Sequence, residues 1–310
     1  MTQLISPNGT PASRLTFGTM QFGGNADKTQ SRAMYDAALA AGINHFDTAY
    51  VYTNGASETL LGQMVGDNRD DLVIATKAAY VGGSTRTNIL EHFDVSRDRL
   101  QLDMVDLLYL HRFDDETPLE ETFEALAILQ QGNKIRYIGV SNFAAWQVMK
   151  AQAVAEKLGT RIDVIQPMYN LVKRQAEVEI MPMCIDQDIG IVPYSPLGGG
   201  LLTGKYARGE TGRLTEDDRY AARYGQSWMH DAATAFSALA DTLSVAPSTL
   251  AVAWAAHHPS RPNPIVSARN LEQLIPSLAA MNYDIDSKLY DKITALTPTP
   301  APATDRLEEA

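Results

Sequence analysis

The sequence predicts a single closed (β/α)8 barrel of the TIM type. Three observations lead there. Short apolar runs alternate with helical patterns along the chain, eight such pairs can be counted, and no Pro/Gly/Ser-rich linker divides them. Alternation of this kind implies parallel strands joined by crossover helices, and eight units fill a closed barrel. An open doubly wound sheet is the alternative. At 310 residues the chain is long enough for one large domain or two ordinary ones. The unbroken pattern selects one domain over 1–310.

The elements follow in order. Residues 1–13, with a turn at Pro7-Asn8-Gly9, read as a short hairpin cap that leads into a first strand at 15–17. A helix over 29–41 ends at Gly42. Strand 43–47 is followed by helix 57–65, and strand 72–77 by helix 85–100. Strand 105–111 runs to Thr117-Pro118-Leu119-Glu120, which reads as a capping box with proline at the first position of a helix to about Gly132. Strands 135–140 and 162–168 precede helices 144–158 and 175–188. Strand 190–194 opens a long loop, from Leu197 to Met229, before Ala-rich helices at 231–244 and 247–258. Strand 264–267, helix 271–281 and a flexible tail over 298–310 complete the chain. A loop that long is usually a functional flap or partly disordered, and this one carries Gly198-Gly199-Gly200, Lys205, Arg208, Arg213, Arg219 and Arg223.

Composition narrows the function. A formal charge of -11 argues against a nucleic-acid partner, without excluding a local basic pocket for phosphate. Cys184 is the only cysteine, which excludes an intrachain disulfide or a thiolate metal cluster and fits the cytoplasm. The N-terminal residues lack a signal-peptide pattern and no segment is long enough to span a bilayer, so no membrane partner is expected. Oligomeric state is not legible.

The chemistry gathers at strand ends. Asp47, Lys77 and His111 close three successive apolar runs, and in a barrel they face one mouth. A carboxylate there needs a cation, and Lys77 is the candidate. Tyr52 lies just beyond Asp47, and Tyr50 is an equal candidate on position alone. An ammonium beside a tyrosine stabilises the phenolate and lowers its pKa, so Tyr52 can protonate an oxygen that is gaining negative charge while His111 orients it. That equipment suits carbonyl reduction if something else supplies hydride. Singly, each residue has a plain structural explanation: a packed loop tyrosine, a structural ion pair, a hydrogen-bonded core histidine. A metal-dependent hydrolase or lyase built on His111 and Asp47 is a further reading, with little support because His45 and Asp47 supply only two ligands on one strand face.

Phe46-Asp47-Thr48-Ala49-Tyr50-Val51-Tyr52 with Ser57-Glu58 and Leu61-Gly62, then Ala75-Thr76-Lys77, Leu110-His111-Arg112-Phe113-Asp114 and Ile138-Gly139-Val140-Ser141-Asn142-Phe143, resemble successive signatures of the aldo-keto reductases. Gln166-Pro167-Met168-Tyr169-Asn170 and Pro193-Tyr194-Ser195-Pro196-Leu197-Gly198-Gly199-Gly200 continue in the family's order. The resemblance runs from Leu15 to about Met281. It implies a barrel oxidoreductase that passes hydride from NADPH, with NADH possible, to an aldehyde or ketone. Tyr52 would be the proton donor, Lys77 its pKa-lowering partner, Asp47 the anchor of Lys77, and His111 the residue that positions the carbonyl.

The resemblance places the cofactor as well. Ser141, Asn142 and Gln166 would bind the nicotinamide carboxamide, Tyr194 would stack on its ring, and Gly18, Thr19 and Met20 would line it. The glycine-rich stretch misses both a phosphate-loop pattern, at Tyr206, and a dinucleotide fingerprint, which lacks its third glycine. It reads better as a backbone nest around a pyrophosphate, with Ser195, Leu197, Gly199 and Lys205 as contacts. Ser267, Arg269 and Gln273 resemble the adenosine-binding segment, and Ser267 and Arg269 would hold a 2′-phosphate, favouring NADPH. Two departures stand out. Pro276 and Ser277 replace an acidic residue and Asn common in the family, and Thr53 stands where Gly commonly follows the tyrosine; the latter is expected to alter the loop and not the chemistry.

Met20, Phe22, Tyr80, Arg112, Phe113 and Phe143 are expected to line the substrate mouth. Aromatic walls with one cation suit a sugar-derived or aromatic aldehyde, unless Arg112 pairs with Asp114. The second functional reading is a non-catalytic or weakly catalytic cofactor-binding subunit, as in the potassium-channel β-subunits that the chain also resembles.

Overall fold

Eight parallel strands curl into a barrel in the computed structural model, which describes residues 1–306 and 308. They are β1 (Thr16–Gly18), β2 (His45–Asp47), β3 (Val73–Ala78), β4 (Val105–Leu110), β5 (Ile135–Ser141), β6 (Val164–Gln166), β7 (Gly190–Ile191) and β8 (Ile265–Val266). Each pairs with its neighbours in chain order, and β1 pairs with β8. Closure between β7 and β8 is made by backbone bonds, Asn263 N–H to Ile191 O at 2.9 Å and Ile265 N–H to Pro193 O at 2.8 Å. The predicted fold is therefore observed, with shorter strands because the ends twist out of regular pairing. The same bonding continues past them, as at Tyr194 N–H to Pro167 O, 2.9 Å.

Alternation along each strand decides what faces inward. On β3, Val73 and Ala75 join the cluster inside the barrel while Ile74 packs under the helices. On β4, Leu107 and Tyr109 point in and Leu108 and Leu110 point out. Continuing the period puts Lys77 and His111 on the inner face at the C-terminal rim. Gly139 on β5 makes room for this packing, since a Cβ there would lie 2.3 Å from the Tyr109 ring. The opposite mouth is shut by the N-terminal segment. A single bridge, Ile5 to Pro11, forms the expected hairpin, and Leu4 enters the inner cluster.

The helices around the strands are α1 (Lys28–Ala40), α2 (Ala56–Val65), α3 (Arg86–Leu100), α4 (Leu119–Gln131), α5 (Ala145–Lys157), α6 (Ile180–Asp186), α7 (Arg213–Glu216), α8 (Asp218–Tyr224), α9 (Ser227–Thr242), α10 (Pro247–His257), α11 (Leu271–Leu278) and α12 (Ser287–Thr294). Among the described residues no single one is long and apolar enough to cross a bilayer.

Four expectations need correction. The helix expected over 175–188 is a turn at Gln175–Glu177 followed by α6. Pro182 has no N–H and is accommodated in the first helical turn, so the helix starts at Ile180. The capping box before α4 does not form: Pro118 is itself the N-cap, and the Thr117 hydroxyl donates to Asp114 Oδ2 at 2.7 Å. The helix over 271–281 gives way after Leu278 to a tighter turn at Ala279–Asn282. α12 was not anticipated; Asp286 caps it by accepting from Leu289 N–H at 2.8 Å. Of the tail expected over 298–310, residues 307, 309 and 310 lie outside the described residues.

His45 is buried inside the barrel, with Nδ1 3.0 Å from the Thr16 hydroxyl and Nε2 without a partner. Burial, reinforced by the charge of Lys77, pushes its pKa from 6.5 to about 3. An unfolded chain takes up this proton near pH 6.5 while the folded one stays neutral, so the stability it contributes drains away as pH falls through that window. Urea unfolding should therefore show a midpoint that declines from pH 6.5 towards 3, with a shallower decline in His45→Gln. An unchanged slope in that variant would place the proton uptake elsewhere.

Candidate active site

Lys77 is the centre of the site. Its ammonium is fully buried and has three donors to place. One goes to Asp47 Oδ1, one to the Thr48 carbonyl at 2.8 Å and one to the Tyr52 hydroxyl oxygen at 3.3 Å. Burial alone would discharge the lysine, but Asp47 and the phenol oxygen outweigh it and raise its pKa. Because Tyr52 accepts from Lys77, its own proton remains available to a group in the cleft. Its ring also lies edge-on to His111, with centroids 5.8 Å apart.

The expected lowering of the Tyr52 pKa is not the net result. Burial raises it, and the charge of Lys77 only partly opposes that, with Asp47 adding to the rise. A phenol that stays protonated at neutral pH suits a proton donor, and the ammonium is placed to stabilise the phenolate as it forms. His111 is held neutral: burial, then Lys77 and Arg112, push its pKa to about 3. Tyr50 is engaged elsewhere. Its ring stacks on His92 at 3.9 Å, and the Arg99 guanidinium lies 4.8 Å from its centroid.

Asp47 continues the network. Its second oxygen accepts from Gln166 Nε2 at 2.8 Å. Ser141 Oγ donates to the Gln166 carbonyl at 3.0 Å, Asn142 Nδ2 donates to Ser141 Oγ and the His111 carbonyl, each at 3.0 Å, and the Tyr194 hydroxyl donates to Asn142 Oδ1 at 2.7 Å. The residues expected around the nicotinamide are thus wired to Lys77 and Tyr52 through one carboxylate, Asp47. Thr19 is buried nearby, donating to the Asp47 carbonyl at 3.1 Å. Gly18 lies against Ile265, where a Cβ would approach to 2.6 Å.

The remaining cofactor candidates sit along the loops after β7 and β8. Ser195, Gly198, Gly199 and Gly200 all have positive φ, and Leu197 opens the tight turn that contains the three glycines. Lys205 Nζ donates to the Thr211 carbonyl at 3.2 Å. Across a cleft of about 460 Å³ lie Met20, Arg213, Arg223 and Arg269. Ser267 Oγ is buried without a partner, and Gln273 Oε1 accepts from Arg269 N–H at 3.4 Å. The residues at the two family departures also take defined places. Ser277 is buried and Pro276 lies inside α11, its carbonyl bonded by Thr249.

The substrate mouth departs from expectation at two positions. Phe22 is buried and packs on Phe17 in the core, 5.6 Å between centroids. Phe143 is also buried, edge-on to Phe113. Tyr80 is exposed and packs on His111 at 4.8 Å, with Arg112 5.2 Å from its ring. Arg112 does not pair with Asp114, which instead accepts from Ser84, Glu116 and Thr117. Trp146, 61% exposed and 6.0 Å from Phe113, was missed, although an aromatic so close after Phe143 was visible as a signal.

Eight parallel strands with a buried lysine, aspartate and histidine and a half-buried tyrosine at the C-terminal rim match a barrel oxidoreductase. The Aldo/keto reductase family model matches residues 14–298, and the chain belongs to that family. It is 33% identical to "Uncharacterized oxidoreductase YrpG" of Bacillus subtilis (strain 168), covering 97% of each chain. It is 32% identical to "Probable voltage-gated potassium channel subunit beta" of Oryza sativa subsp. japonica, over 94% of this chain and 95% of the other. It is 33% identical to "Aflatoxin B1 aldehyde reductase member 2" of Rattus norvegicus, over 85% and 78%.

Thr53, the other departure, adopts φ +47°, so the backbone keeps the left-handed form that glycine favours. Its hydroxyl compensates by donating to the Phe22 carbonyl at 2.7 Å and accepting from Ser57 N–H at 3.0 Å. Thr53→Val should keep the strain and lose both bonds, destabilising by about 1–3 kcal/mol. Thr53→Gly relieves the strain and should cost less. Urea denaturation of both variants measures the order, and a valine variant more stable than the glycine one would contradict it.

Proposed function

We propose that this protein reduces the carbonyl of an aldehyde or ketone to an alcohol, using hydride from NADPH with Tyr52 as proton donor. The observation that carries the reading is the Lys77 ammonium, bound to Asp47 and donating to the Tyr52 oxygen at 3.3 Å. The donor set fits a nicotinamide dinucleotide. Ser141, Asn142 and Gln166 present the polar atoms an amide needs, the left-handed glycines let a pyrophosphate approach the backbone without side chains in the way, and the orphaned Ser267 hydroxyl beside Arg269 suits a phosphate. NADPH supplies hydride when bound. Neutral His111 then orients the carbonyl oxygen, and Tyr52 delivers its proton to that oxygen while Lys77 stabilises the phenolate left behind.

Tyr80, Arg112 and the Phe113–Trp146 pair support an aromatic or sugar-derived aldehyde as the substrate class. We place the enzyme in the cytoplasm, which its one buried cysteine, Cys184, supports. The relatives named as potassium channel subunits favour a second reading, an NADPH-binding subunit with little or no turnover.

Stopped-flow oxidation of NADPH with a panel of small aldehydes, ketones and aldoses separates the two. Turnover is expected, and its absence across the panel with NADPH still bound would favour the subunit. Tyr52→Phe and Lys77→Met should each abolish turnover, the first with NADPH binding nearly intact. Near wild-type rates in Tyr52→Phe would assign the acid elsewhere. Arg269→Ala should weaken NADPH more than NADH in equilibrium titration, and equal loss on both would separate Arg269 from the 2′-phosphate.

A further inference from the structure

The cleft between the loops after β7 and β8 carries cations and carboxylates together: Arg213, Arg219, Arg223 and Arg269 with Glu216 and Asp217. Most of these charges are already occupied within the long loop. Asp217 is bound by Arg219 at 2.8 Å, Arg213 donates to the Tyr220 hydroxyl at 3.3 Å, and Arg223 lies 5.2 Å from the Tyr220 ring. Glu216 is different. Its Oε2 reaches across the cleft to Arg269 NH2 at 3.6 Å, so a carboxylate of α7 meets the guanidinium that follows β8.

We propose that Glu216 is a specificity-determining residue for the cofactor, an internal competitor for the site on Arg269 that a 2′-phosphate would take. This rests on the nicotinamide dinucleotide reading above. A carboxylate and a phosphate monoester offer a guanidinium the same paired oxygens, so they exclude one another. Binding a 2′-phosphate requires Arg269 to leave Glu216 and brings a dianion close to that carboxylate. A ribose with a free 2′-hydroxyl carries no such charge and can donate to Glu216. The pair therefore lowers the preference for NADPH over NADH that Arg269 and Ser267 create. Both partners are partly exposed, 39% and 48%, so the effect is bounded by what a solvent-screened pair contributes.

Titration calorimetry of the full chain with NADP+ and NAD+ tests this in the wild type, Glu216→Gln and Arg269→Ala. Glu216→Gln should bind NADP+ about threefold to fivefold more tightly while NAD+ binding is unchanged or weaker. The gain should shrink as salt is raised from 0.05 to about 0.5 M, as expected for screened charges. In the Arg269→Ala background Glu216→Gln should give a smaller gain for NADP+, because only the repulsion between carboxylate and phosphate is left to relieve. Equal shifts on both dinucleotides, or no shift on NADP+ in a wild type that binds it, would overturn the role of Glu216 and leave the reductase reading standing. Binding of neither dinucleotide by the wild type would overturn both. Thermal unfolding of each variant without ligand checks that Glu216→Gln folds, as its exposed position leads one to expect.

Discussion

The site depends on one buried ammonium. Lys77 can remain charged inside the barrel because a carboxylate, a carbonyl and a phenol oxygen accept hydrogen bonds from its three N–H groups. Each of those acceptors is held by a different constraint: Asp47 by the end of β2 and by Gln166, Thr48 by its backbone, Tyr52 by the loop that Thr53 braces. Removing any acceptor leaves a charge in a place where water cannot compensate, which is costly. The arrangement is therefore cooperative, and the Tyr52 phenol is positioned by the same bonds that keep the lysine ionised.

The barrel supplies these positions through strand periodicity. Inner-face residues recur every second position, so Val73, Ala75 and Lys77 stack along one strand and Leu107, Tyr109 and His111 along the next. Apolar side chains fill the lower layers, polar ones the rim. Leu4 and the N-terminal bridge shut the far end, leaving the C-terminal mouth as the open face of the inner cluster. The ends of β2 to β4 and the loops after them carry Asp47, Tyr52, Lys77, Tyr80 and His111, and the loops after β7 and β8 carry the cluster of arginines.

Neutrality of the histidines is part of this design. His111 is kept unprotonated by burial and by two nearby cations, so it stands at the rim as a neutral hydrogen-bonding group. Tyr52 is kept protonated by burial against the pull of Lys77. A simple pairing argument for the tyrosine captures the sign of the lysine's effect and misses the larger effect of desolvation, which depends on how deeply the fold buries the ring.

The sequence by itself determined the alternation of strands and helices, the barrel, and the residues at its strand ends, because those follow from periodicity and from motif order in one dimension. Asp47, Lys77 and His111 were legible for that reason. Helix boundaries near prolines were less so, as Pro118 and Pro182 show, since the missing N–H matters only relative to where the helix begins. Only the tertiary structure separated Tyr52 from Tyr50, buried Phe22 away from the mouth, and brought Glu216 to Arg269. Those outcomes depend on loop paths and on contacts between residues far apart in the chain, and no local pattern records which of two similar side chains will reach a distant partner.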